Sequence, residues 1–236
     1  MFFNRNGLPA SYAYVVPPGK AVPAELLSQS QGPAMLLMAA HALLPSARSP
    51  LGVEHGAMVC ADWPGHGTPV RPDYIFSALD IAETMTFHGL IALLWGSQTA
   101  GGIDESGRGP AQPFVTQLAQ RLLAGGPNGA LAVVGLTDRL LGASLGPSAV
   151  SPRQALTLAI RGLARGQRVG HAMQSLDLAY SAMAAELAEI VEGVRSGLQM
   201  DPVALAQLGA ATMDLRRVVV LGDPAVGVPA ALAGSR

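Results

Sequence analysis

Cysteine is almost missing from this chain. Cys60 stands alone among 236 residues, which excludes an internal disulfide and suits a reducing, cytoplasmic compartment. Charge is scarce as well. Only 13% of residues are charged and the formal net charge is -1, with no local basic cluster, so the electrostatic footprint of a nucleic-acid binder is absent. Long hydrophobic runs are lacking. AMLLMAA is among the longest wholly apolar runs and falls far short of the roughly 20 residues that span a bilayer. The N-terminal stretch MFFNRNGLPASYAYVV has no basic flank followed by a long apolar segment, so no signal peptide is expected. Nor does a low-complexity linker divide the chain, and residues 1–236 read as a single domain. What is plentiful is apolar surface: half of the residues are hydrophobic, enough for a sizeable core and too many for disorder.

That apolar content comes in short blocks separated by turn residues. Buried strands are expected at 34–40, 89–96 and 130–136, a short one at 57–61, an opening strand at 12–16 and a closing one in RRVVVLGDP. Ser77 is placed to cap a helix running through Met85, with Asp80 in its first turn. Residues 97–112 read as loop, and helical spacing follows over 114–123. Ser151-Pro152 opens a helix to about Arg165. The clearest helix carries Met173, Leu176, Tyr180, Met183, Leu187, Ile190 and Val194 as one apolar stripe, with Asp177, Glu186, Glu189 and Glu192 off it. A further helix spans about 202–213. Strands alternating with helices imply an α/β sheet covered on both faces, with ligands at the carboxyl ends of its strands.

Two of the buried blocks end on chemistry. The run at 34–40 stops at His41, and Leu90 to Gly96 stops at Ser97. If the two strands are parallel neighbours, a histidine base and a hydroxyl face one crevice, the minimal acyl-transfer pair; the plain alternative is two unrelated loop residues. The G-x-S-x-G elbow of a serine hydrolase is not there, because Trp95 and Thr99 occupy its two glycine positions. His55 and His66 lie in loops near Glu54 and Asp62, but the spacing is not that of a zinc site, so no metal is expected. His171 reads as a structural residue at a helix start and His88 as a surface or capping residue. GGPNGA, GASLGPS and TAGG lack the lysine of a phosphate loop and the G-x-G-x-x-G spacing, so no nucleotide cofactor is expected. Cys60, inside MVCAD, reads as a buried small hydrophobe.

Taken in order, LLMAAHAL, HGAMVCADWPG, LIALLWGSQTAGG, GALAVVGLTDR, RGQRVGHAM and LRRVVVLGDPAVGVP resemble the sequence blocks of the caspase-like cysteine peptidases, in particular the bacterial group related to CHAT domains and gingipains. The resemblance covers most of residues 34–228, with 1–33 as an N-terminal strand and connection. It implies a caspase-like three-layer α/β/α sandwich with a mostly parallel central sheet. It gives His41 the general-base position and Ser97 the position of the catalytic cysteine, with the backbone N–H groups around Gly96, Gln98 and Gly101 stabilising the oxyanion. It further implies a peptide or protein substrate, and an acidic group that selects a basic side chain, for which Asp62 and Asp104 are the nearest loop carboxylates. A regulatory protein or an additional domain is an implied partner. Two departures stand out: Ala42 replaces the glycine that follows the family's histidine, and Ser97 replaces its cysteine.

The second departure bears on chemistry. A cysteine has a pKa near 8.5 and yields thiolate readily beside a histidine. A serine hydroxyl does not ionise near neutral pH and needs a well-oriented base with a matching oxyanion hole. The expectation is therefore a peptidase fold whose activity is impaired or absent, whether the serine is natural or a Cys→Ser change. Two other readings stand beside it: a pseudoprotease that binds a peptide or partner protein without turnover, and a serine hydrolase using Ser97 and His41.

Overall fold

The computed structural model describes residues 12–15, 19–21, 23, 27, 35–44, 54–65, 67–87, 89–104, 112–125, 128–145 and 150–228. The fold is α/β. Five strands form the main sheet: β1 (Tyr12–Val15), β2 (Met35–Ala39), β5 (Ile91–Trp95), β8 (Ala132–Leu136) and β9 (Val218–Gly222), in the order β1-β2-β5-β8-β9. β1, β2, β5 and β8 pair in parallel, whereas β9 runs antiparallel to β8, so the sheet is mixed. Two small antiparallel pairs sit outside it: β3 (Met58–Val59) with β4 (Ile75–Phe76), and β6 (Gly101–Asp104) with β7 (Gln112–Val115).

β2, β5 and β8 are the continuous apolar runs of the sequence, and alternate residues enter different cores because strand side chains point to opposite faces. Leu37, Leu93, Trp95 and Val134 join one cluster with residues of α2 (Val150–Ala164), α3 (Val169–Arg195) and α4 (Pro202–Arg216). Leu36, Met38, Leu94 and Val133 join the other with α1 (Gln117–Leu123), Phe76 and Phe87. Helices therefore cover both faces. On α3 the stripe is buried at Met173, Leu176 and Met183, but Val194 near its end is exposed. Among the described residues, no helix is long and apolar enough to cross a membrane.

Three expected elements differ. Ser77 caps only a single 3-10 turn, Ala78–Asp80, rather than a helix through Met85. The Asp80 carboxylate accepts the Ser77 N–H at 2.8 Å while Leu79 N–H bonds the Ser77 hydroxyl, and the backbone is already extended at Ile81. The capping box closes on itself with no apolar stripe to continue it. The stretch 97–112 is not all loop, because Gly101–Asp104 pairs with Gln112–Val115. Phe114 and Val115 belong to that hairpin, so α1 begins only at Gln117, capped by the Thr116 hydroxyl. The expectations for His66 and His88 lie outside the described residues.

Candidate active site

The pairing of β2 with β5 sets the geometry. Ala39 is the register partner of Trp95, and the Ala40 N–H continues the ladder to Trp95 O at 3.2 Å. His41 and Ser97 each follow two residues later. Both line one cavity of about 530 Å³ at the carboxyl ends of the strands, on the face covered by α2. Its walls are largely apolar, with Leu37, Trp63, Trp95, Leu140 and Leu156 among them. Arg153 and Thr157 of α2 bring polar groups to the same lining.

The turn after β5 is held from several sides. Gly96 has no room for a side chain: a Cβ there would meet Ala40 O at 2.8 Å. Gln98 adopts the left-handed conformation at φ 52°, uncommon for a residue with a side chain. Its amide donates to Asp138 O at 2.9 Å, and its side-chain oxygen lies 3.0 Å from His55 Nε2 in a buried contact. The fully buried Thr99 hydroxyl lies 2.6 Å from Leu94 O, as donor, and accepts from Leu136 N–H at 3.2 Å. One hydroxyl thus ties the turn to both β5 and β8.

Ser97 Oγ accepts a hydrogen bond from Leu140 N–H at 3.0 Å. That amide, not the His41 ring, is its hydrogen-bond partner among the described residues. His41 has an exposed side chain, while its carbonyl accepts from Val59 N–H at 2.7 Å and so anchors it to the small β3–β4 pair. Leu140 belongs to the β8–α2 loop, which is fastened from behind. Asp214 of α4 is 0% exposed; its two carboxylate oxygens accept Leu141 N–H at 2.6 Å and Ser144 N–H at 3.0 Å.

Several sequence expectations land elsewhere. The Gly96 amide donates to Leu94 O at 3.2 Å and the Gln98 amide to Asp138 O, so neither is a free oxyanion donor. Gly101 begins β6 opposite Val115 and is not among the cavity lining. Asp62 accepts the Lys20 backbone N–H and is likewise not part of the lining. Asp104 ends β6 in the hairpin, paired with Gln112. His171 does stand at a helix start as expected, on the first turn of α3, with its side chain exposed.

Cys60 does line the cavity and is only 3% exposed. Burial, with the nearby Asp62 and Asp80 carboxylates, pushes its thiol up to about 11 from an ordinary 9.0. It is a neutral thiol at physiological pH.

Arg153, Leu140 and Asp214 were missed from the sequence. For Asp214 a signal exists: Ala211, Thr212 and Leu215 are buried around it, so a carboxylate interrupts an apolar helix face. Leu140 acts through its backbone, which no residue type announces. Comparison with family models, curated proteins and solved structures finds no match to this chain.

Proposed function

We propose that the cavity is the substrate site of a caspase-like α/β peptidase domain, spanning residues 1–236 with its core at 34–228. Its nucleophile position is occupied by Ser97, and it binds a peptide segment with little or no turnover. The observation that supports this is the β2–β5 register, which brings His41 and Ser97 to one apolar cavity. The three-layer caspase-like architecture belongs to the same reading, which the two helix-covered sheet faces suit. So does a cytoplasmic setting, which the lone buried cysteine suits.

With a thiol at position 97 the chemistry follows from the placement. The thiol proton passes to the His41 ring, and sulfur attacks the peptide carbonyl. The carbonyl oxygen takes the negative charge until the C–N bond breaks. The amine then leaves with the proton from His41, and water releases the acyl group. With a hydroxyl, the same sequence needs proton removal concerted with attack. Here the hydroxyl is held by an amide donor and not by a base. That contact favours a second reading, a pseudoprotease that retains peptides or a partner protein intact.

The described lining brings His41 and Arg153 to the cavity and no carboxylate. Its walls are largely apolar, and we therefore read the preferred peptide as one that places an apolar segment in the cavity.

The test is hydrolysis of a fluorogenic peptide library. Ser97→Cys is expected to cleave, and His41→Ala in that background to lower the rate by about 10²–10⁴-fold, the range of a general base. The unaltered protein is expected to match its own His41→Ala control. A Ser97→Cys variant inert toward every peptide would sink the peptidase reading. Hydrolysis by the unaltered chain that vanishes in Ser97→Ala would mean a working serine hydrolase.

A further inference from the structure

Asp214 is the one fully buried carboxylate among the described residues, and the chemistry above does not use it. Both its oxygens are committed to amides of the β8–α2 loop: Leu141 N–H at 2.6 Å and Ser144 N–H at 3.0 Å. Hydrogen bonds to an ionised acceptor are the strong ones, and a buried carboxylate missing one would be costly. The loop is therefore fixed to α4 at two points. The residue just before the first of them is Leu140, whose amide lies 3.0 Å from Ser97 Oγ. A donor so placed stabilises whatever negative charge develops on the side chain at 97. The donors expected nearby, Gly96 and Gln98, are spent on Leu94 O and Asp138 O.

We infer that Asp214 is a positioning residue: it clamps the β8–α2 loop so that the Leu140 amide stabilises charge on the side-chain atom of residue 97. Asp214 acts through the backbone and touches neither substrate nor nucleophile. The inference rests on the reading of position 97 as the nucleophile position, yet its test needs no substrate. A failure here is thus separable from a failure of peptide hydrolysis.

The experiment uses the full chain with Ser97→Cys and Cys60→Ala, which leaves the thiol introduced at position 97 as the single one in the protein. Its pKa is read from the pH dependence of alkylation by iodoacetamide, with and without Asp214→Leu. Two causes would move it in opposite directions. Removing a nearby negative charge alone lowers a thiol pKa, whereas losing an amide donor to the thiolate raises it. The expected result is a rise of about one unit, seen as about tenfold less thiolate at a fixed pH below both values. Asp214→Asn keeps one acceptor oxygen, so a smaller rise is expected, and it serves as the variant if Asp214→Leu does not fold. His41 and Arg153 are unchanged throughout, so their charges do not alter the comparison. A pKa that falls or stays put in the folded variant overturns the inference. Hydrogen exchange gives a second reading: the Leu140, Leu141 and Ser144 amides are expected to lose protection together in Asp214→Leu, and to a smaller extent in Asp214→Asn. Loss at Leu141 and Ser144 with Leu140 unchanged also overturns it.

Discussion

Cys60 and Ser97 line the same cavity, yet their side chains face opposite problems. Cys60 has the nucleophilic atom but the wrong surroundings: apolar burial and two nearby carboxylates hold its thiol up at about 11. At pH 7.5 its alkylation is expected to run about a hundredfold slower than that of a free cysteine, from the two-unit shift alone. An iodoacetamide rate profile checks this, and a rate equal to a free thiol's would contradict it. The shift has a stability side as well. Below about 9 the thiol is protonated in both folded and unfolded chains. Between about 9 and 11 the unfolded chain has released the proton and the folded one has not, so stability falls as pH rises through that window. Denaturation midpoints of Cys60→Ala across the same range are expected to lack that decline.

At the scale of elements, the tight place is where β2 and β5 meet beyond their last pair. A methyl at residue 96 would press on Ala40 O, a backbone atom with nowhere to yield. Gly96→Ala is therefore expected to cost about 1–3 kcal/mol, the usual range for overpacking, and to appear as a lower thermal midpoint. In the Ser97→Cys background it should also depress hydrolysis, because the strand ends are forced apart. A variant as stable as the parent would show that the strands have slack. How much of this was legible beforehand follows from what each element depends on. β2, β5 and β8 were placed to within two residues, because a strand buried on both faces announces itself as an unbroken apolar run. The β6–β7 hairpin was missed, since its residues are Gly, Pro and Gln as often as apolar and show no apolar run or strict alternation. The stop after Asp80 was missed because a capping box reads the same before one turn as before four. In the site, His41 and Ser97 were legible as residues that end apolar runs. The Leu140 amide was not, because a backbone donor leaves no mark in the residue order.

Across the whole molecule, the cavity draws on distant parts of the chain: the end of β2, the segment after β3, the turn after β5, the β8–α2 loop and the first turns of α2. Arg153 on α2 lines it as well, a contribution that strand-end residues do not predict. Binding of a peptide panel, followed by fluorescence polarisation, is expected to rank apolar above polar sequences of equal charge, because the walls are largely apolar. A panel that binds polar peptides best would refute the assignment.

His41 and Ser97 are brought together by main-chain pairing and not by a bond between their side chains. The strands hold that approach whatever atom residue 97 carries. Serine or cysteine can succeed one another there, since either side chain offers an acceptor to the Leu140 amide. If position 97 is the nucleophile position, as proposed, exchanging a single atom there removes or restores the chemistry while the strand frame stays in place.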